Sequence, residues 1–252
     1  MKIPGFLPNE LRQLARFVPM RGWDAVEWKP LLGSMRSVSW RFVTGAGVRE
    51  LRETSQAAIR CVTFASTLGN TEPLTSITDA PRLRALGDEI LALYFSQWLV
   101  EEGLFLDLRP ARFGASDDAL VFAPNGLWIQ LRPEFREGMR SLYESFYSDD
   151  DSAFDAALRQ MGMLRDGMSA SAESELKELL HSHFGVDQSA QRFSIDTFKA
   201  SFDDLFEFFL DNNLRLHSDF VWVGFYLITL YLTLEHGGQE HDVHSICSDI
   251  LL

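Results

Sequence analysis

Apolar positions along this chain fall into two regimes, divided near Asp79. Beyond that residue they recur at helical spacing; before it the pattern is mixed. Leu83, Leu86, Ile90, Leu93 and Tyr94 form one stripe behind Asp79, a good N-cap, and Pro81, which suits a first turn, with Gly103 as the stop. Phe135, Met139, Leu142, Tyr143 and Phe146 predict a helix opening at Pro133. Phe154, Ala157, Leu158 and Met161 predict another, beginning beside Asp149-Asp150-Asp151, where acidic side chains favour the positive helix end. That placement makes a calcium site unnecessary, because three adjacent aspartates cannot converge on one ion without ligands at alternating positions. Further helices are predicted over Ala172 to Phe184, ended by Gly185; Ile195 to Leu210, ended by Asp211-Asn212-Asn213; and Asp219 to His236, ended by Gly237-Gly238. Ala119 to Phe122 and Leu127 to Leu131 flank Pro124-Asn125-Gly126, whose Asn-Gly step accepts positive φ, so the pair reads as a β-hairpin.

The N-terminal pattern is less regular. Leu11, Leu14, Ala15 and Val18 give a short helical stripe after Asn9, closed by Pro19. Trp23, Val26, Trp28 and Leu31-Leu32 fall among Gly22, Pro30 and Gly33 and read as irregular packed structure. From Ser37 to Val43, Val38, Trp40 and Phe42 alternate with Ser39 and Arg41, the period of a half-buried strand. Gly45-Ala46-Gly47 lacks the third glycine of a dinucleotide turn, Glu50 standing there, and reads as a plain turn before a helical segment over Arg49 to Leu68. The expected architecture is mainly α with a small β-hairpin: a mixed region 1–78 packed on a helical domain 79–252.

Composition narrows the function classes. With 252 residues, 46% of them hydrophobic, the chain builds a sizeable core. Its net charge of −13 repels nucleic-acid phosphates and anionic lipid, and no concentrated basic stripe offsets it, so no nucleic-acid partner is expected. Two distant cysteines, Cys61 and Cys247, form neither a disulfide framework nor a four-ligand zinc site, which suggests a reduced cytoplasmic setting. Met1 to Phe6 lacks the apolar core of a secretory signal. The most hydrophobic run, Phe220 to Leu234, is about 15 residues long, short of the roughly 20 that cross a bilayer as a helix; it reads as a buried helix, with peripheral membrane contact the alternative. Cys61 sits among Ile59, Val62 and Phe64 as a small apolar residue. His236, Glu240, His241 and His244 stand close in sequence, but Gly237-Gly238 breaks the helical spacing that would put imidazoles on one face, and no metal site is expected. His181 and His183, two apart on a helix, point to different faces.

The stretch from Leu83 to about His244 resembles the C-terminal lobe of the UbiB/AarF family of atypical kinase-like proteins. The resemblance is carried by Tyr94 to Phe105, by the segment around Pro124-Asn125-Gly126, by the helix start Pro133-Glu134-Phe135-Arg136-Glu137, and by Phe154 to Leu164. Asn213-Leu214-Arg215-Leu216 before the apolar run adds to it. The family's chemistry uses a His-Ala-Asp-Pro-His-Pro-Gly-Asn loop and an Asp-Phe-Gly turn. Counted without gaps, Leu108 takes the place of the catalytic aspartate and Phe113 that of the metal-binding asparagine, while the Asp-Phe-Gly turn looks deleted after Leu131. Asp107 is one residue away, and an isolated carboxylate without metal partners supplies little of what phosphoryl transfer needs.

The resemblance therefore implies a kinase-like lobe without its reaction centre, a pseudokinase serving as an accessory scaffold, with no cofactor. Through the family's link to lipid and isoprenoid-quinone metabolism it also implies a lipophilic ligand. The aromatic faces of the last long helices, with Phe198, Phe202, Phe206 and Phe209 on one and Trp222 and Tyr226 on the other, are where such a molecule would sit. The alternatives are a regulatory module that binds a partner protein, and an ATPase with a rearranged site built on Asp107.

Overall fold

A computed structural model describes residues 7–18, 22–117, 119–184 and 190–252. Met1 to Phe6, Pro19, the side chain of His183, and Gly185 lie outside the described residues. In chain order the elements are α1 (Asn9–Leu14), α2 (Trp28–Thr44), α3 (Val48–Ala58), β1 (Thr63–Phe64), β2 (Glu72–Pro73), α4 (Ala80–Ser96) and β3 (Leu104–Phe105). There follow β4 (Phe113–Ser116), β5 (Ala119–Phe122), β6 (Trp128–Ile129), α5 (Pro133–Tyr147), α6 (Asp151–Gln160) and α7 (Ala170–Phe184). The chain closes with β7 (Gln191–Arg192), α8 (Ile195–Asp211), α9 (Ser218–Gly237), β8 (Glu240–His241) and α10 (Val243–Leu251). The fold is mainly helical, with small sheets.

Helix α9 is the axis. It carries the apolar run, is buried on nearly every face, and packs against α1, α2, α4 and α8. A helix apolar all round has no solvent face to offer, so the rest of the chain must cover it. Its ends follow local chemistry: His217 Nδ1 accepts from the Asp219 N–H, and Gly238, at φ 64°, closes the C-terminus in the left-handed conformation that glycine adopts without strain. Among the described residues no helix is long and apolar enough to cross a membrane.

Asp79 and Asp150 cap their helices from the N-terminal side, whereas Gly103 is not the stop of α4, which ends at Ser96 with Gln97 as its C-cap. Asp79 accepts from the Arg82 N–H at 2.9 Å to start α4, and Asp150 accepts from the Ala153 N–H at 2.9 Å to start α6. The α5 stripe of Phe135, Met139, Leu142, Tyr143 and Phe146 is buried, as predicted. At α1 the N-cap is Pro8 rather than Asn9, and it makes no side-chain cap bond.

Further expectations are corrected: Trp28, Leu31 and Leu32, read with Pro30 and Gly33 as irregular structure, lie in α2. The alternating segment Ser37 to Val43 is not a strand but the second half of α2: Leu31, Met35 and Val38 line the buried face at helical spacing, while Trp40 and Val43 are 68% and 77% exposed. Pro30 is tolerated because it lies in the first turn, where no intrahelical N–H bond is lost. The predicted helix over Arg49 to Leu68 stops at Ala58 and gives way to β1. Finally, the hairpin does not turn at Pro124-Asn125-Gly126. Strand β5 pairs antiparallel with β4, and the turn includes Asp117 at φ 54°. Strand β6 instead crosses to pair with β3, Leu104 facing Ile129.

The N-terminal region completes the larger sheet. Strand order is β1-β5-β4-β2, with β1 parallel to β5 and β2 antiparallel to β4. One hydrophobic cluster runs continuously from Leu7 to Cys247. Helix α10 was not foreseen; Asp242 caps it by accepting from the Ser245 N–H at 3.0 Å, and it packs on α4 and α5.

All five tyrosines, Tyr94, Tyr143, Tyr147, Tyr226 and Tyr231, have hydroxyls that burial pushes above the ordinary phenol value of 10. The folded chain then holds these protons more tightly than the unfolded chain. Their contribution is intact below the unfolded value near 10 and is lost as pH rises above it, because the unfolded state sheds its protons first. Alkaline titration is expected to show flat tyrosinate absorbance past pH ~10, followed by a single rise coincident with loss of the helical circular-dichroism signal. Gradual ionisation with the helices intact would contradict this packing.

Candidate functional site

Asp107 follows β3 on a stretch, Leu106 to Leu108, that lies against α9. That stretch runs through the interior, so its backbone groups need partners. Leu106 N–H donates to Leu127 O at 2.9 Å. Thr229 Oγ1 lies 2.8 Å from Leu106 O and accepts from Leu108 N–H at 3.1 Å, and Thr233 Oγ1 donates to Leu108 O. Upstream, Gln97, fully buried at the end of α4, accepts from Phe105 N–H at 2.7 Å and donates to the Tyr226 hydroxyl at 2.6 Å. Two threonines one turn apart on α9, and one glutamine on α4, thus fix the height and direction of the Asp107 segment.

The Asp107 carboxylate is 1% exposed and surrounded by donors. Arg109 grips it with one edge of the guanidinium, Nε to Oδ1 at 2.6 Å and Nη2 to Oδ2 at 2.8 Å. Asn125 Nδ2 donates to Oδ2 at 2.6 Å, and the Arg109 backbone N–H reaches Oδ1 at 3.3 Å. Arg112 Nε adds charge at 3.5 Å. Asn125 is held in turn by the Leu127 N–H, which donates to its Oδ1 at 3.0 Å. The bond to Asp107 raises the Arg109 guanidinium above its ordinary value, so the guanidinium stays charged. A bidentate guanidinium plus an amide takes up the carboxylate's lone pairs. A divalent cation could reach them only by expelling at least one of these donors, and no group of three metal-ligating side chains occurs among the described residues.

The two residues picked out by gap-free counting are both interior. Leu108 is fully buried, and Phe113 lies within β4, stacked on Phe122 with ring centres 4.9 Å apart; neither faces an open site. Pro124-Asn125-Gly126, following β5, passes beside Asp107. Asn125 is the site residue that sequence reading missed. Its Asn-Gly step reads as a turn, and the signal that could have corrected this is the pair Asp117-Asp118, an equally good turn that leaves two strands of equal length on either side.

The other candidates are accounted for by packing. Phe198, Phe202, Phe206, Phe209, Trp222 and Tyr226 are all buried, and they face the core. Phe198 stacks on Phe202 at 4.3 Å, Phe209 meets Phe220 at 5.8 Å, and Tyr226 stacks on Tyr94 at 4.7 Å. A void of about 30 Å³ borders Phe202, room for one or two waters; an acyl chain or isoprenoid would have to part α8 from its neighbours. His241 is buried with Nδ1 2.7 Å from Asp88 Oδ1, whereas His244 Nε2 bonds Tyr147 O at 3.1 Å, so the C-terminal histidines serve different contacts. His181 packs edge-on against Phe146 and Phe154. Burial pushes the Cys61 and Cys247 thiols up, away from the thiolate form that reacts.

No family model matches the chain, and no characterised protein matches it in sequence.

Thr229→Val keeps the shape of the side chain but leaves the Leu108 N–H unpaired in the interior. A loss of about 1–3 kcal/mol is expected from urea unfolding, with Thr233→Val costing about the same through the Leu108 carbonyl. An unchanged midpoint in both variants would show that α9 does not anchor this segment.

Proposed function

We propose that the chain is a non-catalytic, kinase-like accessory scaffold of UbiB/AarF type, in which the place of phosphoryl-transfer chemistry is occupied by a structural ion-pair network. The observation that carries this reading is the saturation of Asp107, the buried carboxylate one residue from the expected position, by Arg109 and Asn125. The order of elements supports the kinase-like part: α4, the Leu104-Phe105 strand, Asp107, the β4–β5 hairpin, the Asn125 loop and then the Pro133 helix. Phosphoryl transfer needs carboxylates free to hold magnesium against phosphates. Here the carboxylate is committed to arginine. With the aromatic face of α8 spent on the core, a ligand of the scaffold binds elsewhere on its surface.

A structural and a catalytic aspartate respond differently to removal. Asp107→Ala would leave two arginines with their shared anion gone, and a loss of about 2–4 kcal/mol in unfolding free energy is expected. Magnesium-ATP is expected to give neither calorimetric binding nor turnover with the parent protein. Magnesium-dependent ATP binding that disappears in Asp107→Asn, with stability unchanged, would overturn the scaffold reading.

A further inference from the structure

Next to Arg109 the surface opens into a cleft of about 440 Å³, within the size range of small-molecule sites. Its apolar lining comes from Leu14 of α1, Phe17 just beyond it, and Leu232 of α9. Its charged lining is cationic throughout, with Arg16, Arg109 and Lys199 meeting from three segments far apart in sequence. In a chain of net charge −13, a cleft whose described lining has three cations and no carboxylate is a local reversal of sign, with Glu10 the nearby acid acting on Arg109.

The three cations are not equally available. Arg109 is neutralised by Asp107, and its Nη1 donates to Gln13 Oε1 at 3.2 Å across the cleft wall. Lys199 reaches Asp196 only at 3.4 Å, and the Asp196 side chain is 89% exposed, so water screens that pair. The Lys199 ammonium lies 5.1 Å from the centre of the Phe17 ring, which holds it over the apolar part of the cleft. Arg16 is exposed and has no hydrogen bond or ion pair to another described residue. Arg16, without an ion pair, and Lys199, whose carboxylate neighbours Asp196 and Asp203 lie on its own helix, therefore stand beside an aromatic and two leucines. A phosphate monoester carries about −1.5 to −2 at neutral pH, offers three acceptor oxygens, and brings an organic body for the apolar wall.

We infer that this cleft binds a small phosphate monoester with an aromatic or short aliphatic body, its phosphate held by Arg16 and Lys199. The inference goes beyond the scaffold reading and does not rest on it, since binding here needs neither magnesium nor a free Asp107.

Calorimetric titration with phenyl phosphate in the absence of magnesium tests it. Saturable binding is expected, weakened by added salt and weakened roughly tenfold in Arg16→Ala/Lys199→Ala, with no binding of phenol. The parent melting temperature is expected in the double variant, as both side chains reach solvent. Should it fall, the single variants Arg16→Gln and Lys199→Gln, each expected to weaken binding, take its place. No binding at roughly millimolar phenyl phosphate, or equal affinity for parent and variants, overturns the site. Inorganic phosphate binding as tightly as phenyl phosphate overturns the role of the apolar wall. Co-sedimentation with phosphatidic-acid vesicles, in the absence of phenyl phosphate binding, overturns a soluble ligand in favour of a lipid headgroup.

Discussion

The structure depends on how a polar backbone stretch, Leu106 to Leu108, is kept satisfied deep against an apolar helix. Thr229 and Thr233 supply the partners from α9, one turn apart, so they meet backbone groups of Leu106 and Leu108 while Asp107 between them turns the other way. An unpaired backbone group at that depth would cost as much as a good part of a domain's net stability. Satisfying this stretch fixes α9 relative to β3, and with it the helices that wrap α9. Asp107 is thereby delivered to Arg109 and Asn125 with its burial already complete.

A buried carboxylate can be a reactive group or a structural one, and its surroundings decide which. Reactive carboxylates face a cavity and keep lone pairs free for a metal or a proton. Asp107 faces a guanidinium fork and an amide, and the arginine that holds it also reaches α1 through Gln13. The network thus ties the N-terminal helix to the segment following β3. Its charge is internal, which leaves Arg16 and Lys199 as the positive charges that the cleft presents outward.

The aromatic residues of α8 and α9 show why a wide apolar face is weak guidance to a ligand. Such a face must be covered, and stacking among phenylalanines and tyrosines covers it here with voids of water size. The same burial raises every tyrosine hydroxyl and makes the fold sensitive to alkali.

Local rules determined much of this protein. Caps at Asp79, Asp150 and Gly238 act through neighbouring backbone groups, and stripes such as Phe135 to Phe146 reflect helix geometry alone, so the helices from α4 to α9 were legible in the sequence. Only the tertiary structure decided the rest. In α2 Val38, Trp40 and Phe42 mimic a strand's alternation, and contact with α9 shows which face is inside. Strand β6 has two candidate partners of similar character, and it pairs with β3 because both edges of the nearer β5 are taken by β1 and β4. The identity of the site follows from that choice. Asp107 stood out in the sequence as an isolated acid, whereas its partner Asn125 and the meeting of Arg16, Arg109 and Lys199 exist only through distance in space, which periodicity and spacing do not encode.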